Sequence, residues 1–463
     1  MLEPKVWQLT AGSAVVGLAL AAVAVTMAGP WESGQRRSER EWAAAQSGTG
    51  GAHHEPAAPR TPSPAPSAPG VLSVLTAPSA EPAELSEELR KKLGPLLDDK
   101  DLGRLRSASV VDATTGKALY GKAADTPMTP ASTVKIATTV AALSALGPDH
   151  RIATTVMASP DATRLTLVGG GDSTLDRTGL SALADDTARA LRDRGVAKAG
   201  LRYDISLYSG PKLHPIGPND NIAPVTALMT RQARLDDSTR GPAPRGGDPA
   251  GAAAREFAEL LRERGIRTAA PPAEGRAPKD SKPLARTYSQ PLSALVERTL
   301  TESDNDTAEA LARQTAIALG MPASFDGGDR AVRAQLGKLG LPLTGARFAD
   351  GSGLDRKDRA SAALLTALLA RAADPDHPEL RPVLTGLPIA RFTGTLRSRY
   401  ADAAPAAGLV RAKTGTLTGV NTLAGTVVDA QGRLLAFAFM AGSTTAPGGA
   451  QAALDRLSAA LIR

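Results

Sequence analysis

Three short stretches of this 463-residue chain carry side chains able to make a hydroxyl into a nucleophile: Ser132-Thr133-Val134-Lys135, Ser303-Asp304-Asn305 and Lys413-Thr414-Gly415-Thr416. They draw on scarce residues, since the chain holds 14 Lys against 40 Arg and four Asn in all. Each is weak alone, because composition supplies about one S-x-x-K by chance. Ser209-Gly210-Pro211-Lys212 is such a copy, and its Gly-Pro step keeps the two side chains off a common helical turn. The copy at Ser132 follows Pro130 at a predicted helix start, where the i, i+3 spacing puts Lys135 on the face of Ser132. A serine hydroxyl attacks only when a neighbouring base takes its proton, and lysine serves only if burial or nearby cations lower its pKa. The free N–H groups of a helix amino terminus would favour a developing oxyanion. The same four residues read equally well as an N-cap serine and a solvated first-turn lysine.

Composition removes the competing chemistries. The chain has no cysteine, which excludes thiol nucleophiles, disulfides, zinc ribbons and iron–sulfur clusters. Five His and no H-E-x-x-H argue against a metallohydrolase, and no metal ligand set is assigned. A net charge of +7 and 3% aromatic residues are too little for nucleic-acid binding. Gly and Pro make up about 17% of the chain, below the level of general disorder.

The elements that must position these residues can be traced along the chain. Residues 6 to 31 carry no charge and exceed the length of a bilayer crossing, so residues 1–30 read as a signal peptide or membrane anchor and export is expected. Residues 31–83, Pro/Ala/Ser-rich over most of their length, read as an extended tether. A helix is predicted over residues 84 to 93, stopped by Gly94-Pro95, then a hairpin around Thr114-Thr115-Gly116 and a helix over residues 132 to 146. A second hairpin turns at Asp429-Ala430-Gln431-Gly432, and a closing amphipathic helix spans residues 450 to 462. Strands at both ends with helices between them predict an α+β fold, an antiparallel sheet covered by helices.

In order and position, the three stretches resemble those of the D-alanyl-D-alanine carboxypeptidase and endopeptidase family of low-molecular-mass penicillin-binding proteins, over roughly residues 84 to 463. Secondary stretches share the likeness: Leu167-Val168-Gly169-Gly170-Gly171-Asp172, Tyr203-Asp204, Gln290-Pro291-Leu292, Asp350-Gly351-Ser352-Gly353-Leu354 and Gly394-Thr395-Leu396. The resemblance implies a β-lactamase/transpeptidase-like catalytic domain made of residues 84–150 and 286–463, with an α/β domain inserted over 151–285. It implies Ser132 as the acylated nucleophile, Lys135 as general base and Ser303 as proton relay to a departing D-alanine. Asn305 would hold the donor peptide amide. Lys413, with Thr414, Gly415 and Thr416, would bind the terminal carboxylate, and the N–H groups of Ser132 and Thr416 would form the oxyanion hole. The implied substrates are peptidoglycan stem peptides, with β-lactams as covalent inhibitors and no cofactor.

Two alternatives stay open. A serine β-lactamase shares nucleophile and fold but needs a carboxylate-activated water. Between Asn305 and Lys413 the Glu residues are Glu309 and Glu379, neither in a Glu-x-x-Leu-Asn setting. A catalytically idle wall-binding module would suit the positive charge and tether but leave the motif side chains unused. Terminal trimming and cross-link cleavage would both use Ser132, Lys135, Ser303, Asn305 and Lys413, and the oligomeric state is not encoded in any pattern found.

Overall fold

The computed structural model describes residues 82–462; the expected leader, and the tether up to residue 81, lie outside them. Helix α1 (Pro82–Leu97) leads into strand β1 (Leu105–Asp112) and β2 (Ala118–Lys122). The predicted stop at Gly94-Pro95 is overridden, because Leu85, Leu89, Leu93 and Leu97 recur every four residues and all are buried. A proline inside a helix costs about 3 kcal/mol. Burying four leucines, at roughly 2 kcal/mol each, more than offsets that.

A one-turn 3-10 segment (Ala131–Val134) precedes helix α2 (Lys135–Leu146), which Gly147 ends at φ 80°. The chain then builds a second sheet from β3 (Ala153–Ala158), β4 (Arg164–Val168), helix α3 (Arg177–Arg192), β5 (Lys198–Asp204), helix α4 (Pro249–Glu263) and the short strands β6 (Arg267–Thr268) and β7 (Ala273–Glu274). Strand β8 (Lys282–Tyr288) closes it in the order β6-β5-β4-β3-β8, with β7 also on β5. β4 and β5 are parallel, joined by α3 as a crossover. This sheet has its own core, including Val156, Leu167, Leu183 and Phe257. Residues 205–248 form a long, irregular segment that crosses towards the motif residues.

Helices α5 (Leu292–Thr301), α6 (Asn305–Ala318), α7 (Phe325–Lys338) and α8 (Ala362–Ala373) follow. Strands β9 (Arg411–Leu417), β10 (Val420–Val428) and β11 (Leu434–Gly442), then helix α9 (Pro447–Ala459), complete the described chain. The first sheet runs β2-β1-β11-β10-β9, antiparallel throughout, so strands from both ends of the chain meet at its centre.

The two faces of β11 differ in size. Phe437 and Phe439 face α1 and α9, stacked with centroids 5.3 Å apart, while Ala436, Ala438 and Met440 face α2 and α8. Small side chains on that second face let the helices approach closely, which brings the head of α2 against β9. Strand β9 is the last of its sheet; residues 388–390 pair with its first residues, up to Ala412, and among the described residues no strand pairs with the outer edge beyond.

Candidate active site

Ser132 sits in the 3-10 turn at the head of α2, where the preceding Ala131 has φ 48°. Left-handed backbone is costly for a residue with a Cβ, and here packing enforces it. Two glycines make room for the turn. A Cβ on Gly353 would lie 2.1 Å from the Ala131 carbonyl oxygen, and one on Gly415 would lie 2.6 Å from that of Pro130. The glycine of K-T-G is thus a steric requirement for seating β9 on the serine turn.

Lys135 is wholly buried. Its Nζ donates to Ser132 Oγ at 2.9 Å, to Asn305 Oδ1 at 2.7 Å and to the Ser352 carbonyl oxygen. Burial brings its pKa down from 10.5 to about 8, against the pull of Asp350, Glu309 and Asp304. The solvated first-turn lysine is ruled out: the amine is aimed at the serine and desolvated.

Ser303 and Asn305 straddle the start of α6, which Asp304 caps by accepting from the Thr307 N–H at 3.0 Å. Ser303 has φ 56°, and its Oγ accepts from Lys413 Nζ at 2.9 Å. Lys413 is also fully buried and donates to the Thr414 carbonyl oxygen at 2.8 Å. Burial, and then the charge of Lys135, hold its pKa well below the usual value. Lys413 therefore stands behind Ser303 rather than on the cleft wall.

Ser132, Ser303, Asn305, Thr414 and Thr416 line one cavity of about 450 Å3. Its far wall carries Arg240, Glu302 and Arg399. The Thr414 hydroxyl pairs with Thr395 at 2.8 Å, which gives the Gly394-Thr395-Leu396 stretch a buttressing place under β9. Thr416 is exposed on β9 opposite Asn421. All eight residues singled out from sequence meet within this one region. Ser209-Gly210-Pro211-Lys212 lies in a loop, with Lys212 on Glu274.

Several supporting residues escaped the sequence reading. The Ser352 carbonyl accepts from Lys135, but a backbone group leaves no mark in residue type. Glu309 Oε1 accepts the N–H groups of Gly351 at 2.9 Å and Ser352 at 3.0 Å, fixing the turn that presents this carbonyl. Burial, with Asp350 nearby, pushes the Glu309 carboxyl up, while Arg313 pairs with it at 2.9 Å. The Arg313 guanidinium stacks over Phe325 at 4.3 Å. Burial pushes the Asp350 carboxyl up, but the His214 ring at 2.8 Å, Asp358 and the Gly353 N–H together outweigh it and hold the carboxyl below its ordinary range. His214, Glu309 and Asp350 converge within 4.8 Å. His214 and Asp350 bond each other and Arg313 pairs with Glu309, so each of the three groups already has a protein partner. The one signal in sequence was the Asp350-Gly351-Ser352-Gly353-Leu354 stretch itself.

The sheet, its flanking helices and a cleft with one buried lysine behind each of two serines define the class, an active-serine hydrolase of the penicillin-recognising fold. Comparison over the whole chain is more specific. The chain belongs to the D-Ala-D-Ala carboxypeptidase 3 (S13) family, whose model matches residues 89–242 and 236–461. It is 37% identical to carboxypeptidase DacB of Mycolicibacterium smegmatis, across 88% of this chain and 90% of that one. A carboxypeptidase of Mycobacterium tuberculosis is 36% identical across 86% of this chain and 84% of its own. The fold is shared with the crystal structure of penicillin-binding protein 4 from Haemophilus influenzae, at a TM-score of 0.66 and 23% identity, covering 81% of this chain and 97% of that one.

Proposed function

We propose that this protein is a serine-type D-Ala-D-Ala carboxypeptidase acting on peptidoglycan stem peptides through an acyl-enzyme on Ser132. The observation that carries the reading is the desolvated Lys135 amine 2.9 Å from Ser132 Oγ. With a pKa of about 8, that amine is neutral in about a tenth of molecules at pH 7, enough to serve as base.

Lys135 Nζ takes the Ser132 proton as Oγ bonds to the penultimate D-alanyl carbonyl carbon. The N–H groups of Ser132 and Thr416 receive the oxyanion. Collapse breaks the C–N bond, and the departing amine takes its proton from Ser303 Oγ, which draws on Lys413 Nζ at 2.9 Å. A lowered lysine pKa makes that ammonium a better acid. The Thr414 and Thr416 hydroxyls, in the field of Lys413, hold the terminal carboxylate. Lys135 then gives up its proton and Lys413 regains one by exchange with solvent through the cleft; water attacks the ester carbonyl as the neutral Lys135 amine takes its proton, and the C–O bond breaks to return Ser132 as a hydroxyl.

Stem peptides lie outside the cytoplasmic membrane, so the uncharged run over residues 6 to 31 fits an exported enzyme. Among the described residues no helix is long and apolar enough to cross a membrane. Penicillins mimic the D-alanyl-D-alanine terminus and acylate Ser132. Incubation with a synthetic pentapeptide ending in D-Ala-D-Ala tests the reading: free D-alanine is expected from the wild type and none from Ser132→Ala. Binding without release would favour the idle wall module.

A further inference from the structure

The irregular segment 205–248, to which the sequence reading gave no role, closes on the start of α6 and lines one side of the cleft with Asn221, Arg240 and Arg245. It grips all three residues from Asp304 to Asp306. Gln232 Nε2 donates to Asp304 Oδ2 at 2.6 Å. Asn305 Nδ2 donates to the Asn221 carbonyl oxygen at 3.0 Å. Asp306 accepts from the Ala223 N–H at 2.9 Å and from Arg245 Nη1 at 3.0 Å. Arg245 Nη1 also donates to the Gln232 carbonyl oxygen at 2.7 Å, tying the two grips together.

The bonds to Asp304 and from the Ala223 N–H are buried, while the one from Asn305 to Asn221 faces the cleft. The Arg245 and Asp306 side chains expose 4% and 2% of their surface, and a buried ion pair of this kind is a costly way to gain stability alone. The segment also spends backbone strain here, since Arg231, Gln232 and Ala233 have φ of 49°, 55° and 52° in succession. Strain of order 1–3 kcal/mol per residue persists where surrounding structure over-determines a conformation, and such residues cluster at functional sites. What the grip determines is the place of Asn305, whose Oδ1 accepts from the catalytic amine of Lys135 at 2.7 Å.

We propose that Gln232 and Arg245 are positioning residues for the reaction: by clamping the carboxylates on either side of Asn305, they hold its amide against Lys135. The inference rests on the acyl-enzyme reading above and adds that catalytic geometry is set by a segment outside the three motifs. Arg245 borders the cleft beside Asn305, but its side chain is 4% exposed and turned onto Asp306, so its loss reaches the reaction through Asn305.

The test compares Arg245→Met, Arg245→Lys, Gln232→Leu, Asn305→Ala and the double variant Arg245→Met/Asn305→Ala in the full chain. D-alanine release, acylation by a fluorescent penicillin and thermal unfolding are followed. Arg245→Met is expected to lower kcat about tenfold with KM within twofold, Arg245→Lys to recover most of it, and the double variant to be no slower than Asn305→Ala. Gln232→Leu keeps the proposal open to test if Arg245→Met does not fold. A folded Arg245→Met or Gln232→Leu with wild-type kcat, or losses that simply multiply in the double variant, overturns the clamp. Failure of the wild type to be acylated at all instead overturns the enzymatic reading.

Discussion

Lys413 Nζ stands 2.9 Å from Ser303 Oγ and is shut off from solvent. Lys135 keeps the same distance to Ser132, so the site consists of two serine–lysine pairs sharing one cleft. In the proposed reaction one pair takes a proton from the nucleophile and the other returns one to the leaving amine. Replacing Lys413 with Met should therefore lower the turnover of D-alanine release by about 10²-fold. Rapid-mixing kinetics with a pentapeptide checks this, and an unchanged kcat would exclude Lys413 from the proton path.

The base must be neutral to act, and burial places the Lys135 pKa at about 8. Neutral amine accumulates as pH rises through that value, so the rate of Ser132 acylation should climb from pH 6 and level off above about 8. A stopped-flow pH profile with a reporter β-lactam reads it directly. A profile flat across this range would assign the base elsewhere.

How much of this was legible in the sequence depends on what each feature is made of. The three motifs are contiguous and use scarce Lys and Asn, so Ser132, Lys135, Ser303, Asn305 and the Lys413–Thr416 run could be named in advance. The sheet hairpins were legible because apolar residues crowd into short runs around Gly-containing turns. The end of α1 was not, because burial of Leu93 and Leu97 overrode a local Gly-Pro signal. Residues 205–248 have no helical or strand period at all, and their bonds to Asp304 and Asp306 join positions 61 to 83 residues apart. Tertiary pairing of that range leaves no local pattern to read.

A Cβ on Gly415 would meet Thr422 Oγ1 at 2.1 Å and the Pro130 carbonyl oxygen at 2.6 Å. Gly415→Ala must push β9 off the serine turn. It should cost roughly 1–3 kcal/mol in chemical denaturation and slow acylation more than tenfold. Wild-type acylation in this variant would show that the contact between β9 and the turn is dispensable.

Glu309 is buried, bonded to two backbone N–H groups and paired with Arg313. Its place is structural, unlike the water-activating carboxylate of a β-lactamase. Glu309→Gln leaves Arg313 without its counter-charge and should destabilise the fold by about 3 kcal/mol. The lifetime of the penicilloyl-enzyme should stay within twofold. A markedly longer lifetime would make Glu309 a deacylation base and favour the β-lactamase alternative.

The central claim is that Ser132 becomes covalently acylated, and intact-protein mass spectrometry after brief exposure to benzylpenicillin tests it most directly. One penicilloyl adduct is predicted, mapping on digestion to the peptide that contains Ser132 and missing from Ser132→Ala. An unmodified wild type, or an adduct that persists in the variant, would contradict it.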